Sequence, residues 1–414
     1  MRNSQSAEIC IVGAGPAGAA AALTLARRGI PSVVVEKSVF PRDKVCGDAF
    51  SGRAVEAITR LNPELVEHLH RQTVSLTSQG VLIFAPNLKG VRIPFHGTDR
   101  TGEQVCGFVS KRRDFDSYLA SELKKSPGIR FLEGCEVRSF SFSDGYWTIG
   151  FKEEKPAVTA RIIIAADGAN SRFAREVLGR RIDPRHSGIG VRTYYTGVKG
   201  LDPEGFIELY YLRSLLPGYL WIFPLPDGTA NVGAWSRSDR LNRRRLNLER
   251  ELDVLLTTIP QLRERFSDAR TVAPPRGSAL PLGLRKANLS GPHYMLAGDA
   301  ASLIDPFTGE GIGNAMVSGE LAARQAARSL NLGDFSERFM RGYDARIRAT
   351  LGRELRTSRR LQQVARHPHL FNIIADRAQK GGLVFKALTS VFQDLDRQER
   401  MRSPISFIRS LLFR

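Results

Sequence analysis

The sequence predicts an α/β fold in which a mostly parallel sheet is interleaved with a second, α+β domain built on a mostly antiparallel sheet, followed by C-terminal helices. An apolar strand runs through a glycine-rich turn into an alanine-rich helix within the first 28 residues. Aromatic, strand-like segments follow between residues 205 and 235. The 414 residues exceed the usual size of a single hydrophobic core, so more than one domain is expected.

The composition is that of an ordinary globular protein, with 42% hydrophobic and 25% charged residues. The cysteines are widely spaced and form no CxxC pair, and no leader-like segment precedes the first strand, so a reducing, cytoplasmic location is expected. The seven histidines form no ligand-spaced cluster, so no metal site is predicted. The four cysteines are Cys10, Cys46, Cys106 and Cys135.

The net charge of +19 is concentrated towards the C-terminus, where residues 331–414 hold 17 basic and 8 acidic residues. Such a surface is either solvated or in peripheral contact with an anionic membrane, on its inner face. No nucleic-acid partner is expected, because no recognition motif accompanies the charge. At the very end, an apolar face of a predicted helix over 403–414 could dock on the protein or on lipid; it comprises Ile405, Ile408, Leu411 and Leu412.

The first glycine turn has the pattern of a Rossmann-type, dinucleotide-binding unit. Gly13 permits the sharp turn after the strand from Glu8 to Val12, Gly15 lets the backbone approach a pyrophosphate, and Gly18 lets helix and strand pack closely. A second strand ends at Glu36, 18 residues after Gly18, where a carboxylate accepts hydrogen bonds from ribose hydroxyls. The unit therefore suits FAD or NAD rather than NADP.

Three later segments indicate a flavin rather than a simple nicotinamide site. A buried strand ends at Asp167-Gly168, and another ends at Gly298-Asp299, whose carboxylate is placed to accept from a ribityl hydroxyl. A glycine-rich turn then leads into a predicted helix over 311–329, whose first N–H groups can point at the flavin pyrimidine.

With these motifs in this order, residues 7–330 resemble the FAD-dependent reductases and monooxygenases that share the para-hydroxybenzoate hydroxylase fold. Two further segments, Lys44-Val-Cys-Gly-Asp48 and Pro217-Gly-Tyr-Leu-Trp-Ile-Phe-Pro224, resemble the geranylgeranyl reductase family, which saturates isoprenoid double bonds. The resemblance implies that FAD is the cofactor. It also implies a set of FAD contacts, namely Ala17, Glu36, Cys46, Gly47, Arg112, Val137, Asp299, Gly311 and Ile312, in addition to Gly13, Gly15, Gly18 and Asp167 from the glycine and aspartate turns.

Arg112 belongs to a segment similar to the family's RxxFD pattern, but Arg113 is available within the same turn. In the second domain, Tyr219, Trp221 and Phe223 are predicted to line a substrate cavity over the flavin. The same alternation is typical of a strand that is buried on both faces, so core packing alone is the alternative.

The resemblance implies an isoprenoid lipid or isoprenoid quinone as an apolar substrate, with hydride transfer from reduced flavin. An isolated double bond also needs a proton, for which Cys46, Tyr219 or a water are the candidates. The absence of a second GxGxxG predicts an external electron donor, NAD(P)H or a reduced carrier.

Two alternatives to this function remain. One is a flavin monooxygenase acting on an aromatic substrate, with halogenation weakened because Trp221 lacks the paired tryptophan of a WxWxIP segment. The other is a redox-inactive scaffold that FAD stabilises.

The predicted domains are discontinuous. Residues 1–181 and 291–330 form the FAD-binding domain, with some strands of the other domain between 75 and 110. Residues 182–290 form the substrate-binding β-sheet domain, which includes a helical pattern from Leu241 to Phe266, and residues 331–414 form a basic helical region.

Overall fold

The computed structural model describes residues 5–64, 67, 74–95, 107–283, 287–382, 384–385 and 388–389. Cys106 and the predicted helix over 403–414 lie outside these residues. The strands are β1 Gln5–Val12, β2 Ser32–Val35, β3 Ala49–Phe50, β4 Ser75–Ser78, β5 Gly80–Phe84, β6 Gly90–Pro94, β7 Gly107–Ser110, β8 Ile129–Leu132, β9 Val137–Ser143, β10 Tyr146–Phe151, β11 Val158–Ala165, β12 Ser187–Thr196, β13 Ile207–Tyr210, β14 Leu220–Pro224, β15 Ala230–Arg237, β16 Arg270–Thr271, β17 Arg276–Pro281, β18 Ser290–Gly291 and β19 Tyr294–Leu296.

The α-helices in the same residues are α1 Pro16–Ala26, α2 Gly52–Leu61, α3 Arg112–Lys125, α4 Ser238–Arg244, α5 Leu248–Thr258, α6 Pro260–Arg265, α7 Ile312–Leu332, α8 Glu337–Met340, α9 Gly342–Thr350, α10 Gly352–Val364 and α11 Pro368–Gln379. In this part of the chain, no helix is both long enough and apolar enough to cross a bilayer.

The first sheet brings the predicted cofactor segments together. Its strands lie in the order β18-β19-β11-β1-β2-β8. The five strands from β19 to β8 in this row pair in parallel, and β18 pairs antiparallel with β19. The carboxyl ends of parallel strands meet at one edge, which is where open α/β sheets bind ligands. The turns at Gly13, Glu36, Asp167 and Gly298 follow four of these strands and therefore converge.

Helices α1 and α7 cover this sheet through small side chains. Helix α1 buries its alanines, and a Cβ added at Gly319 of α7 would lie 2.0 Å from the carbonyl oxygen of Ala17. Only glycine permits this approach of the two backbones. The start of each long helix is thereby fixed next to the edge where the strands end.

The second sheet is mostly antiparallel, as predicted, with the strand order β16-β12-β15-β14-β13-β5-β6 and with β17 paired to β12. The one parallel pair is β13 with β5. Because β5 and β6 come from residues 80–94, the chain enters this sheet long before its main segment. A third, small sheet has the order β3-β7-β4.

The helical pattern from Leu241 to Phe266 divides into three short helices, which the sequence did not predict. Helix α4 ends at Arg245, whose φ of +50° is left-handed. Asn247 then caps α5 by accepting from the backbone N–H of Arg250, and Pro260 begins α6. The capping residues and Pro260 therefore break the helix, although the helical sequence pattern continues through these positions.

Candidate active site

One cavity of about 630 Å³ lies between the first two sheets. The ends of β1, β2, β11 and β19 line one side, and β5, β13 and β14 of the second sheet line another. A volume in this range is typical of a site for a cofactor or a drug-sized ligand. Residues that the sequence marked on both sheets thus face one space.

The three glycines of the motif after β1 have different surroundings. Gly13 has a φ of +100°, and an added Cβ would lie 2.4 Å from the carbonyl oxygen of Ala166. At Gly15 the nearest atom to an added Cβ is Arg42 Nη2, at 3.8 Å, so this glycine faces the cavity. A Cβ at Gly18 would lie 1.8 Å from the carbonyl oxygen of Gly13. Gly18 therefore permits helix packing behind the turn, while Gly13 and Gly15 line the cavity.

Glu36 is buried at the end of β2 and lines the cavity. Its Oε2 accepts from the backbone N–H of Ala14 at 2.9 Å, and its Oε1 accepts from that of Ser38 at 3.1 Å. Arg42 Nε lies 3.7 Å from Oε1. These contacts hold the carboxylate beside the glycine turn, the position from which nucleotide-binding units bind ribose.

The segments after β11 and β19 reach the same cavity. Asp167 is fixed because its Oδ2 accepts from the backbone N–H of Phe173 at 3.1 Å, and burial raises its pKa. Asp299 forms an ion pair with Lys44 Nζ at 3.3 Å. Val137, at the start of β9, completes this side. The Lys44 partner was not foreseen from the sequence.

Of the two adjacent arginines, Arg112 lines the cavity with an exposed fraction of 3%, whereas Arg113 is exposed. The Nε and Nη2 atoms of Arg112 each lie 2.8 Å from a carboxylate oxygen of Asp116, one turn along α3. The Arg112 guanidinium also lies beside the Cys46 sulfur. Its backbone N–H donates to Asp48 Oδ1 at 3.1 Å.

The segment from Lys44 to Asp48 is held by side chains from the second sheet. Asp48 is fully buried with a φ of +67°, and its Oδ2 accepts from the Tyr194 hydroxyl at 2.8 Å and from Asn231 Nδ2 at 2.7 Å. The carbonyl oxygen of Cys46 accepts from Asn231 Nδ2 at 2.9 Å and from Arg192 Nε at 3.2 Å. Burial raises the pKa of Asp48 to about 6, although Arg192 and these hydrogen bonds oppose the shift.

Sequence reasoning assigned no role to this network. Asp48 stood inside a quoted motif and Asn231 lies seven residues after the other, while Arg192 and Tyr194 were missed. The available signal was an arginine inside the apolar strand β12, because a buried charge is rare unless it is paired. That signal predicts a partner but not which partner, since Arg192 lies 146 residues from Cys46.

The aromatic strand β14 has two different faces. Trp221 and Phe223 line the cavity together with Tyr219, which lies one residue before the strand. Leu220 and Ile222 pack into a separate hydrophobic cluster on the opposite face. The three rings are 5–7% exposed, so they belong to the core and to the cavity wall at once.

The aromatic wall of the cavity contacts the Lys44–Asp48 segment through Trp221 and Phe223. Trp221 Nε1 donates to Asn231 Oδ1 at 2.8 Å, and the same Asn231 holds Cys46 and Asp48. A Cβ added at Gly47 would lie 2.8 Å from Phe223 Cε2, so glycine lets the ring approach.

The glycine-rich turn before α7 lines the cavity next to Tyr219. The Tyr219 hydroxyl donates to the carbonyl oxygen of Thr308. Gly311 and Ile312 line the cavity where α7 begins. The predicted helix over 311–329 thus starts where expected and continues to Leu332.

Comparison with known proteins identifies this arrangement. Residues 6–203 match the family model described as an FAD binding domain. The menaquinone reductase of Mycobacterium tuberculosis is 31% identical over 334 residues, which cover 78% of this chain and 77% of that protein. The chain belongs to the geranylgeranyl reductase family of FAD-dependent oxidoreductases. Another member, the digeranylgeranylglycerophospholipid reductase of Thermoplasma acidophilum, is 30% identical over 84% of each chain.

The fold of this geranylgeranyl reductase family member is shared with a solved structure. A geranylgeranyl bacteriochlorophyll reductase-like protein from Thermoplasma acidophilum superposes with a TM-score of 0.81, covering 99% of this chain and 100% of that chain at 23% identity. The predicted fold class, the family and the cofactor are therefore confirmed.

FAD is the cofactor, and the cavity of the reductase fits it. Helix α1 begins after Gly15 with no side chain capping it, so its first N–H groups are available to phosphate oxygens. The Glu36 carboxylate lies beside that turn. When bound, FAD supplies the hydride-transfer chemistry. All predicted site residues except Gly18 line the cavity: Gly13, Gly15, Ala17, Glu36, Cys46, Gly47, Arg112, Val137, Asp167, Tyr219, Trp221, Phe223, Asp299, Gly311 and Ile312.

Proposed function

We propose that this reductase saturates carbon–carbon double bonds of an isoprenoid chain, in a geranylgeranyl-type lipid or an isoprenoid quinone, by hydride transfer from reduced FAD. The observation that carries the proposal is a single cavity with a glycine-lined end for the dinucleotide and an aromatic end for hydrocarbon. The relatives, a menaquinone reductase and a digeranylgeranylglycerophospholipid reductase by name, support the same substrate class.

The aromatic end suits hydrocarbon because the polar atoms of its rings are bound within the protein. Trp221 Nε1 donates to Asn231, and the Tyr219 hydroxyl donates to Thr308. The rings therefore present apolar faces, and burying an isoprenoid against them gains roughly 25 cal/mol per Å² of apolar surface. Val81, Ile207 and Leu209 extend the wall.

The proposed FAD contacts follow the cavity from end to end. Gly13 and Gly15 hold the pyrophosphate at the start of α1, and Glu36 accepts from the ribose. Asp299 accepts from the ribityl chain, and the first N–H groups of α7 at Gly311 face the flavin pyrimidine, where reduction builds negative charge. The remaining proposed contacts are Ala17, Cys46, Gly47, Arg112, Val137, Asp167 and Ile312.

Cys46 is the proton donor in this proposal. Hydride forms one new C–H bond, and the alkene electron pair takes the Cys46 proton to form the other. The Arg112 guanidinium beside the sulfur stabilises the thiolate that remains until water reprotonates it. Tyr219 is the weaker candidate, because its hydroxyl is committed to Thr308 and burial raises its pKa.

The proposed division of the chain follows the two sheets. We assign residues 1–181 and 291–330 to the FAD-binding domain, residues 182–290 to the substrate-binding domain, and residues 331–414 to a basic helical region. The pairing of β5 with β13 supports the assignment of strands between 75 and 110 to the substrate-binding domain.

The test is anaerobic reoxidation of the reduced enzyme by geranylgeranyl diphosphate, a geranylgeranyl ether phospholipid and menaquinone. We expect flavin reoxidation by at least one of them, with two hydrogens gained per saturated bond in the mass of the product. No reoxidation by any of them, together with rapid oxygen consumption in the presence of an aromatic compound, would instead identify a monooxygenase.

Two variants separate the proposed roles. Cys46→Ser is expected to leave reduction of the flavin by its donor unchanged and to slow the reoxidation by isoprenoid at least tenfold. Phe223→Ala is expected to raise KM for the isoprenoid, whereas Phe142→Ala, at a ring that is 45% exposed on β9, is the matched control and should not.

The electron donor is proposed to be external, either NAD(P)H or a reduced carrier. Anaerobic mixing of the oxidised enzyme with each donor is the measurement, and bleaching of the flavin identifies the donor. A flavin that no donor reduces would favour the scaffold function instead.

Peripheral contact with an anionic membrane is also proposed, and an arginine cluster supports it. Burial and repulsion from neighbouring arginines lower the pKa of Arg240 on α4, of Arg359 on α10 and of Arg366 just after α10. The Nε of Arg240 is buried without a hydrogen-bond partner. Nearby, Arg237 and Arg243 both form ion pairs with Asp239. Such a positively charged surface attracts anionic lipid headgroups.

Sedimentation with phosphatidylcholine vesicles that contain phosphatidylglycerol tests this contact. We expect Arg240→Gln with Arg366→Gln to reduce binding severalfold, while Arg113→Gln with Arg324→Gln removes the same charge elsewhere and has little effect. Deletion of residues 403–414 is also expected to lower binding without loss of FAD. Equal binding by all these proteins would contradict the proposal.

A further inference from the structure

Three carboxyl groups lie close together beside the start of α7, and two of them, Glu310 and Glu354, interact with one guanidinium. Asp305 and Glu310 belong to the turn before α7, Glu354 belongs to α10, and Arg53 belongs to α2. Arg53 donates from Nη2 to Glu354 and from Nη1 to Asn314 Oδ1 at 2.8 Å, and its charge also acts on Glu310. We call Arg53, Asp305, Glu310 and Glu354 the carboxyl cluster.

The charges of the carboxyl cluster do not balance. Burial raises the pKa of Asp305, of Glu310 and of Glu354, the last to about 8 against the opposing effect of Arg53. The three carboxyl groups also repel one another across this small space. Asp305 has a local reason to stay ionised, because it accepts from two backbone N–H groups at 2.8 and 2.9 Å. Fully ionised, the cluster would carry two negative charges in excess, so it retains a proton at neutral pH.

Glu310 connects this cluster to the cavity. It lines the cavity wall, and its Oε1 accepts from the backbone N–H of Gly313 at 2.7 Å and from the Ser51 hydroxyl at 3.2 Å. A negative charge at this position cancels part of the positive end of the α7 dipole. A neutral Glu310 leaves that potential free to stabilise negative charge in the cavity.

We propose that the carboxyl cluster binds one proton from solvent, on Glu310, each time the flavin is reduced, and releases it when the flavin is oxidised. The inference rests on the proposed placement of the flavin pyrimidine at the start of α7. Hydride from the external donor brings two electrons and one hydrogen nucleus into the cavity. The negative charge that accompanies it draws a proton onto the Glu310 carboxylate, where an O–H bond forms and water loses that proton.

The balance on reoxidation matches the proposed reaction. When hydride leaves for the alkene, the negative charge beside α7 disappears, the O–H bond of Glu310 breaks and one proton is released. One proton is also what each saturated double bond consumes. While the flavin is reduced, the carboxyl cluster therefore holds one proton, the same number that saturation of one double bond consumes.

The test is the pH dependence of the flavin midpoint potential, measured by spectroelectrochemical titration of the holoenzyme. Each proton taken up with two electrons shifts the potential by about 30 mV per pH unit. We expect the wild type to show two protons per two electrons near pH 7. Glu310→Gln keeps an oxygen for Gly313 and Ser51 but binds no proton, so one proton is expected.

A control and a second variant complete the experiment. Glu320→Gln removes a carboxylate on α7 that is ion-paired with Arg60 and Arg324. This variant should still take up two protons. Glu354→Gln, on α10, keeps the neutral group that the raised pKa of Glu354 gives at pH 7, so it should also keep two protons. A wild type that takes up one proton from pH 6 to 8, or a Glu310→Gln variant that retains two, would overturn the inference.

The titration contains no isoprenoid, so its outcome is independent of the substrate. A holoenzyme that takes up two protons but reoxidises with no isoprenoid would contradict the proposed function alone. A holoenzyme that saturates isoprenoids with one proton per two electrons near pH 7 would contradict the carboxyl cluster alone.

Discussion

The two ends of the cavity are built by different means. At the dinucleotide end, backbone atoms line the cavity, at the glycine turn of Gly13 and Gly15 and at the uncapped start of α1. At the aromatic end, buried side chains from distant strands hold the segment that carries Cys46, chiefly through Asn231 and Asp48. A backbone site depends on local spacing, whereas an oriented reactive group depends on long-range hydrogen bonds.

The largest effect is expected at the glycines, where substitution of Gly15 in the turn and of Gly18 in α1 should have different results. Gly18→Ala places a Cβ 1.8 Å from a backbone oxygen, so most of the folded protein should be lost. Gly15→Ala meets no atom closer than 3.8 Å, so it should fold with an unchanged melting temperature as apoprotein but bind FAD at least tenfold more weakly. Circular dichroism and FAD titration measure the two outcomes. Equal stability of both apoproteins would show that the turn tolerates movement.

A smaller effect is expected at the aromatic end from Asn231→Leu. The substitution leaves Trp221 Nε1 buried without a partner and removes one of the two hydrogen bonds to Asp48 Oδ2, which should lower the free energy of unfolding by about 2 to 4 kcal/mol. Urea denaturation measures it, and Asn242→Leu, at an exposed position of α4, is the control with little expected change. FAD binding should survive in the folded fraction. A loss of FAD binding without a loss of stability would mean that the two ends are not built independently.

The smallest effect is the pH dependence contributed by Asp48. Burial raises the pKa of its carboxyl from 3.8 to about 6, so the folded protein binds this proton at a higher pH than the unfolded chain. The resulting stability is fully present below about pH 4 and is lost as the pH rises through about 6.

Asp48→Asn removes this contribution, so the two proteins are compared by urea denaturation at several pH values. The free energy of unfolding of the wild type should fall relative to the variant by about 1 to 3 kcal/mol between pH 4 and pH 7. Parallel pH profiles would mean that Asp48 ionises in the folded protein as it does in the unfolded chain.

Much of the fold was predictable because its signals are local. The first strand, the glycine turn and α1 follow from adjacent residues, and the aromatic hairpin around β14 follows from alternation and a turn at Asp227-Gly228. The region from 241 to 266 was predictable only as helical, because its periodicity hides the breaks at Arg245 and Pro260. The position of β5 and β6 in the second sheet depends on pairing across more than 100 residues.

From the sequence alone, motif resemblance indicated the family and the FAD cofactor. Glycine spacing and strand ends predicted the turn at Gly13 and Gly15 and the position of Glu36, because such signals encode backbone geometry within a few turns of chain. Only the tertiary structure decided that Arg112 rather than Arg113 faces the cavity, that Asn231 joins Trp221 to the Cys46 segment, and that Glu310 and Glu354 share Arg53. The physical reason is that a buried polar side chain must find a partner, but any of many distant residues can satisfy it.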